Sequence, residues 1–162
     1  MKKLTLIVLL SCSFATPASW SADFNKGVTA YQAGNYKAAL AEWRPLAQAG
    51  NARAQNFLGF MYDNGEGVLE DDFEAVKWYR LAAEQGNPKA QYGLGVMFAN
   101  GEGVTQSNVY AHMWWNIAAS NGDRQANENK AVIASQMTAQ ELSIAQSLAR
   151  ACVSKSYKNC YK

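Results

Sequence analysis

The stretch Asn64-Gly65-Glu66-Gly67-Val68 returns unchanged as Asn100-Gly101-Glu102-Gly103-Val104, thirty-six residues further along the chain. Working outward from it, residues 52–87 lie over 88–123 without a gap and with fifteen identities in thirty-six positions. These include Ala54/Ala90, Gln55/Gln91, Leu58/Leu94, Gly59/Gly95, Met61/Met97, Ala75/Ala111, Trp78/Trp114, Ala82/Ala118, Ala83/Ala119 and Gly86/Gly122. Self-similarity at this period marks stacked supersecondary units, each burying its apolar face against its neighbours.

Each unit reads as two helices. Ala54, Leu58, Met61 and Tyr62 fall at i, i+4, i+7 and i+8, as do Ala90, Leu94, Met97 and Phe98, which is the spacing of one helical face. Ala75, Trp78, Tyr79 and Ala82, then Ala111, Trp114, Trp115 and Ala118, give a second stripe in which large and small residues alternate. A helical glycine costs about 1 kcal/mol relative to alanine, so Gly59 and Gly95 imply a neighbour too close for a side chain. Gly50-Asn51, Gly86-Asn87 and Gly122-Asp123 each offer a glycine to end one helix and a side-chain oxygen to cap the next, and Pro88 suits a first helical position. Tight antiparallel helix pairs are the expectation.

A shorter unit precedes these two. Gly27, Tyr31, Gly34, Tyr36, Ala39, Trp43 and Leu46 follow tetratricopeptide spacing, with four fewer residues from Gly27 to Ala39 than from Gly59 to Ala75. Beyond Arg124 the pattern decays: Lys130 takes the place of Leu58 and Leu94, and no Gly-Glu-Gly loop follows. The capping box Thr138-x-x-Glu141 and the stripe Leu142, Ala145, Ala149 and Cys152 predict a last helix that covers the open end of the stack.

Ala-x-x-x-Leu-Gly, Asn-Gly-x-Gly-Val, Ala-x-x-Trp and Ala-Ala-x-x-Gly at a spacing of thirty-six resemble the Sel-one-like repeats, a subclass of tetratricopeptide-like α/α repeats. The likeness is strong over 23–123 and looser beyond. It implies an all-α fold, a right-handed superhelical α/α solenoid of antiparallel helix pairs with a C-terminal capping helix pair. The expected division is a tetratricopeptide-like unit at 22–50, Sel-one-like repeats at 51–87 and 88–123, capping helices at 124–152 and a basic tail at 153–162. The family's role as adaptor or scaffold, in bacterial members often periplasmic or secreted and linked to envelope assembly, signalling or host interaction, makes a protein or peptide partner the expectation here.

Composition is compatible with this. The chain has 162 residues, 49% hydrophobic, with only 3 prolines, which suits one folded domain and excludes a disordered or collagen-like polymer. A formal charge of +2 is too small for a protein that binds nucleic acid by neutralising phosphates. No apolar run approaches the roughly 18 residues that would cross a bilayer. Met1-Lys2-Lys3, the apolar run Leu4 to Leu10 and the small residues after it read as a secretory signal peptide over 1–21, cut after Ser21, with Ala18 a second choice. Leu9-Leu10-Ser11-Cys12 resembles a lipoprotein box, the less favoured reading because the apolar region is so short and Leu10 is atypical there.

The expected location is therefore periplasmic or secreted. Loss of Lys2 and Lys3 would leave thirteen basic against thirteen acidic residues, with no strong field to steer a partner. Cys152 and Cys160 would be the cysteines remaining, and a disulfide between them is the simplest reading. Closing so short a loop is worth roughly 2.5 kcal/mol, enough to hold a fraying terminus. Zinc is disfavoured, since it wants four ligands and His112 is the one histidine.

No catalytic signature is present: no phosphate-binding loop, no His-Glu-x-x-His, no Gly-x-Ser-x-Gly and no Ser-x-x-Lys. Neither an enzyme nor a cofactor or metal is expected. His112 lacks an obvious proton-transfer partner and reads as structural or surface. Trp78, Tyr79, Trp114 and Trp115 read as core by their recurrence, with a sugar-binding platform as the competing reading. Glu66, Glu70, Asp71, Asp72 and Glu74 read as a solvated face with a helix cap in it, against a calcium site whose spacing is wrong for an EF-hand. Lys155, Lys158 and Lys162 make the tail either a disordered solubilising end stapled by the disulfide or a weak contact for an anionic envelope surface.

In tetratricopeptide-like stacks the first helix of each unit lines the inner surface. The resemblance thus nominates Val28 and Tyr31, then Asn56, Phe60 and Asp63, then Tyr92 and Val96, as contacts for an extended peptide or a partner helix. Ordinary surface is the plain alternative. The competing class of function is a periplasmic cell-wall or carbohydrate-active protein, and a secreted host-interaction factor is a third.

Overall fold

Residues 22–161 are described by a computed structural model; residues 1–21, on which the signal-peptide and lipoprotein-box readings with Ser21 and Cys12 fall, and Lys162 lie outside the described residues. Among the described residues eight helices follow one another: α1 (Phe24–Gln32), α2 (Tyr36–Gln48), α3 (Ala52–Asn64), α4 (Asp72–Ala83), α5 (Pro88–Asn100), α6 (Asn108–Ser120), α7 (Arg124–Ala134) and α8 (Ala139–Ser154). Together they form an all-α solenoid in which α1/α2, α3/α4 and α5/α6 are packed hairpins. None of these helices is long and apolar enough to cross a membrane.

Every helix starts on a side-chain cap. Asp23, Asn35, Asn51, Asp71, Asn87, Ser107, Asp123 and Thr138 each accept a hydrogen bond from a backbone N–H two or three residues on. Each such cap is worth about 1 kcal/mol. Thr138 and Glu141 complete the reciprocal capping box. At the other end of α3 and α5, Gly65 (φ 67°) and Gly101 (φ 80°) adopt the left-handed conformation, which explains why the recurring loop begins Asn-Gly.

The hairpins close by laying an aromatic ring on a glycine. Trp43, Tyr79 and Trp115 stand eight residues after the caps of α2, α4 and α6, and face Gly27, Gly59 and Gly95. A Cβ at Gly59 would lie 2.6 Å from the Tyr79 ring; at Gly27 and Gly95 it would collide with the indoles of Trp43 and Trp115. The indole Nε1 of Trp43 donates to the Phe24 carbonyl at 3.1 Å and that of Trp115 to the Tyr92 carbonyl at 3.2 Å, in each case the carbonyl three residues before the glycine. Around these rings pack Leu58, Met61, Leu94, Met97 and Trp114, with alanines between them where helices approach most closely.

A second recurring device joins one unit to the next. Buried Gln55 donates from Nε2 to the Ala47 carbonyl and accepts at Oε1 from Gln85; buried Gln91 does the same with Ala83 and Asn121. These amides satisfy each other, so their burial carries no penalty for unmade hydrogen bonds.

The terminal unit departs from the pattern. α7 and α8 both pack on α6 and scarcely on each other, flanking it where the earlier helices pair. Eight residues past the caps of α7 and α8 stand Ala131 and Gln146, both exposed, so neither glycine nor ring is present to close a hairpin. Ala145, Ala149 and Cys152 bury the inner stripe of α8 against α6.

The tail is folded, which corrects the expectation of a disordered end. Cys152 and Cys160 lie at disulfide distance with Cα atoms 4.9 Å apart, and Ser156, Tyr157 and Asn159 take positive φ to turn the chain back. Tyr161 then packs against Phe98 and Trp114, where burial pushes its phenol up to about 12. Lys158 reaches Glu84 and Lys155 stays exposed.

Two measurements test this account. Alanine normally stabilises a helix relative to glycine, but Gly95→Ala should lower unfolding free energy by about 2 kcal/mol in urea titrations followed by circular dichroism, because the methyl displaces Trp115. Reducing agent should lower stability by roughly 2.5 kcal/mol without changing helical content; equal stability with and without it would mean the cysteines are unpaired.

Candidate functional site

A groove of about 560 Å³ opens on the face built by the first helices, within the range of small-ligand and peptide-anchor sites. Its walls are Tyr31 from α1, Phe57 and Phe60 from α3, and Tyr92 and Val96 from α5. Of the seven nominated residues, Tyr31, Asn56, Phe60, Asp63, Tyr92 and Val96 line this one space. Val28 does not: it packs against the Trp43 core, because Tyr31, Phe57 and Phe60 close the space between α1 and α3 with ring centroids 6.3 and 6.4 Å apart.

What deepens the groove is a difference between the repeats. Phe57 stacks on Trp43 with centroids 4.3 Å apart, filling the space between α1 and α3. Thirty-six residues later the same position is Gly93, so no side chain from that position lies over the equivalent ring, Tyr79, which is 4% exposed against the bare Gly93 backbone. Tyr79 is held between Gly59 and Gly93 and forms the floor, while Phe57, Tyr92 and Val96 rise around it. The sequence reading placed Tyr79 in the core and missed its second role, although the mismatch of Phe57 with Gly93 inside an otherwise matched helix is the signal that would have found it.

Tyrosine in place of tryptophan at position 79 also changes the chemistry. Lacking an indole N–H, it cannot reach the backbone carbonyl that Trp43 and Trp115 use; its hydroxyl donates instead to Asp63 Oδ2 at 3.1 Å. Burial, and then the neighbouring Asp63 charge, raise the Tyr79 phenol well above its ordinary value, so it stays a donor. The Asp63 carboxyl is itself raised, first by burial and then by Glu102, Asp72 and Glu70, with the Tyr79 hydrogen bond opposing them. At the α1 end, Tyr31 donates to Glu66 Oε2 at 2.6 Å, and burial followed by Glu66 holds its phenol high. Lys89, paired with buried Asp123 at 2.9 Å, and Gln125 make the opposite rim.

The other candidates are occupied structurally. Trp114 is 1% exposed and Trp115 is buried, so neither offers a surface platform. His112 is buried with no partner at Nδ1, and burial followed by Lys130 lowers its pKa. Asp71 caps α4 through the Glu74 N–H, Glu74 pairs with Lys77 and Glu66 accepts from Tyr31. Among the described residues no three His, Cys, Asp or Glu side chains converge as metal ligands would.

Residues 52–87 and 88–123 match the Sel1 repeat family model. The fold superposes on the crystal structure of c5321, a protective antigen present in uropathogenic Escherichia coli strains displaying an SLR fold, with TM-score 0.78 and 31% identity over 84% of this chain and 30% of that one. It superposes likewise on a Sel1 repeat protein from Oxalobacter formigenes, with TM-score 0.65 and 32% identity over 68% of this chain and 46% of that one. An exopolysaccharide production negative regulator of Rhizobium leguminosarum bv. viciae is 39% identical over 56 residues, 35% of this chain and 21% of that protein. The chain thus spans less than half the length of each of these relatives.

A raised carboxyl in the folded state opposes folding once it ionises: the stability is full below the unfolded value of 3.8 and falls as pH climbs through the higher folded pKa. Asp63→Asn retains an acceptor for Tyr79 and removes that loss. Its stability relative to wild type should therefore rise between pH 4 and 7 in paired urea titrations, and a flat difference would show that Asp63 is not held this way.

Proposed function

Since this chain is a Sel1-like repeat protein, we propose that it is an exported interaction adaptor or scaffold that grips a partner peptide or helix in the groove of α1, α3 and α5. The observation that carries this reading is the Gly93 pit. A floor of Tyr79 and aromatic walls around about 560 Å³ of open groove suit an apolar anchor, and anchors of that kind dominate the energetics of protein recognition. Phe60, 39% exposed at the rim, and Tyr92 would lie along the flanks of the bound segment. Asn56, Asn64 and Gln125 supply amide donors and acceptors for its backbone.

The polar groups are placed for orientation more than for chemistry. Asp63 is the half-buried carboxylate of the groove, and its raised pKa comes with burial, a tyrosine donor and the charges of Glu102, Asp72 and Glu70. That supports binding over turnover. The bacterial signal sequence and the Cys152–Cys160 pair support placement in the periplasm or outside the cell, where a disulfide persists.

Phe60→Ala combined with Tyr92→Ala should leave helicity intact while weakening partner capture about a hundredfold, as expected for losing two aromatic contacts. The check is affinity capture from envelope extract with wild-type and doubly substituted protein side by side, followed by calorimetry with the captured partner. Equal capture by both would exclude this face.

A further inference from the structure

The face opposite the groove holds a site that the chain fills once and leaves open once. Residues 155–161 run between α4 and α6. Tyr157 lies beside Gly86 and meets Asn121 through its hydroxyl, Lys158 approaches Glu84 at 3.6 Å, and Tyr161 is wedged in at the far end. The Tyr161 ring touches Phe98, Tyr110 and Trp114 at centroid distances of 4.9, 6.2 and 5.9 Å, with the Arg80 guanidinium 5.4 Å away. The tail sits there as a bound peptide would.

Thirty-six residues earlier, between α2 and α4, Tyr62, Glu74, Trp78 and Arg44 occupy the places of Phe98, Tyr110, Trp114 and Arg80. The tail does not reach them; Lys77 Nζ stands 5.7 Å from the Trp78 ring, and Trp78 Nε1 is buried without a hydrogen-bond partner. Phe98 and Trp114 are buried, whereas Tyr62 and Trp78 are only half-buried. Exposed Arg44 lies across to the Tyr62 hydroxyl at 3.4 Å, the long end for a hydrogen bond, so it is a cover easily displaced.

We infer that this α2/α4 groove is a second docking site, distinct from the groove of the first helices, which takes an extended segment of another protein carrying an aromatic ring followed by a basic residue. The ring is specified by the occupied copy: Tyr161 inserts between a guanidinium and three aromatic rings, and its hydroxyl has no partner, so phenylalanine serves as well. The basic residue is specified by where charge has moved. Glu84, which meets Lys158 ahead of the ring, is replaced by Gln48, and Tyr110, beyond the ring, is replaced by Glu74. Glu74 is held only by an exposed pair with Lys77, which is worth little against a docked cation. A second copy of this chain is a poor occupant, because its tail is tied by Cys152–Cys160 into its own groove.

The probe is the heptapeptide of residues 156–162 with serine for Cys160, titrated to about 5 mM into oxidised ¹⁵N-labelled protein. The Trp78 indole and Arg44 guanidinium resonances should shift, with the Trp114 indole unmoved. Alanine for Tyr161 in the peptide should weaken binding about tenfold, phenylalanine should preserve it, and the surface variant Arg44→Glu should abolish it while folding normally. Unmoved Trp78 and Arg44 resonances would overturn the site. So would shifts confined to Trp114, meaning exchange with the chain's own tail, or light scattering showing that the groove is closed by a second copy.

Discussion

The contact on which the rest depends is an aromatic ring lying on a bare helix backbone. A side chain at Gly27, Gly59 or Gly95 would occupy the volume of Trp43, Tyr79 or Trp115, so the two helices of each hairpin approach only because one of them has a gap. The ring fills that gap with apolar surface, and in two units its indole also satisfies a backbone carbonyl. The arrangement fixes rotation and translation of one helix against the other, which hydrophobic burial alone does not. Where the pair is missing, at Ala131 and Gln146, α7 and α8 leave each other and settle on α6.

The same contact generates the groove. A ring driven through from the second helix needs a cover on the first-helix side, and Phe57 provides it for Trp43. Gly93 provides none for Tyr79, so the groove is a consequence of removing one side chain from an otherwise repeated device. The change from indole to phenol then frees a hydroxyl, and Asp63 is the acceptor that keeps it from being an unmade hydrogen bond in a half-buried place.

The two faces of the solenoid are thus asymmetric for related reasons. On the first-helix side, a repeat position lost its side chain. On the second-helix side, neighbouring helices α4 and α6 do not close on each other, and the tail, turned back where Cys152 and Cys160 lie at disulfide distance, fills the cleft with Tyr157 and Tyr161. Repetition supplies identical scaffolds, and departures from it make the surfaces differ.

Fold, unit boundaries and caps were legible because they rest on local chemistry repeated in register: Asn51, Asn87 and Asp123 cap their helices, and Thr138 forms its box, by hydrogen bonds within three residues. Gly59 and Gly95 announced a close approach, and six of the seven nominated groove residues lie together because helix register carries them to one face. What single positions could not reveal was decided between elements. Val28 turned to the core because rings from α3 closed over α1, the buried Gln55 and Gln91 became links between units, and the lysine-rich tail folded because three aromatic side chains from α5 and α6 left a place for Tyr161. The sequence by itself determined the helices and their order, since those depend on neighbours along the chain. Only tertiary structure decided which gaps between them stay open, since a gap depends on side chains thirty or more residues apart.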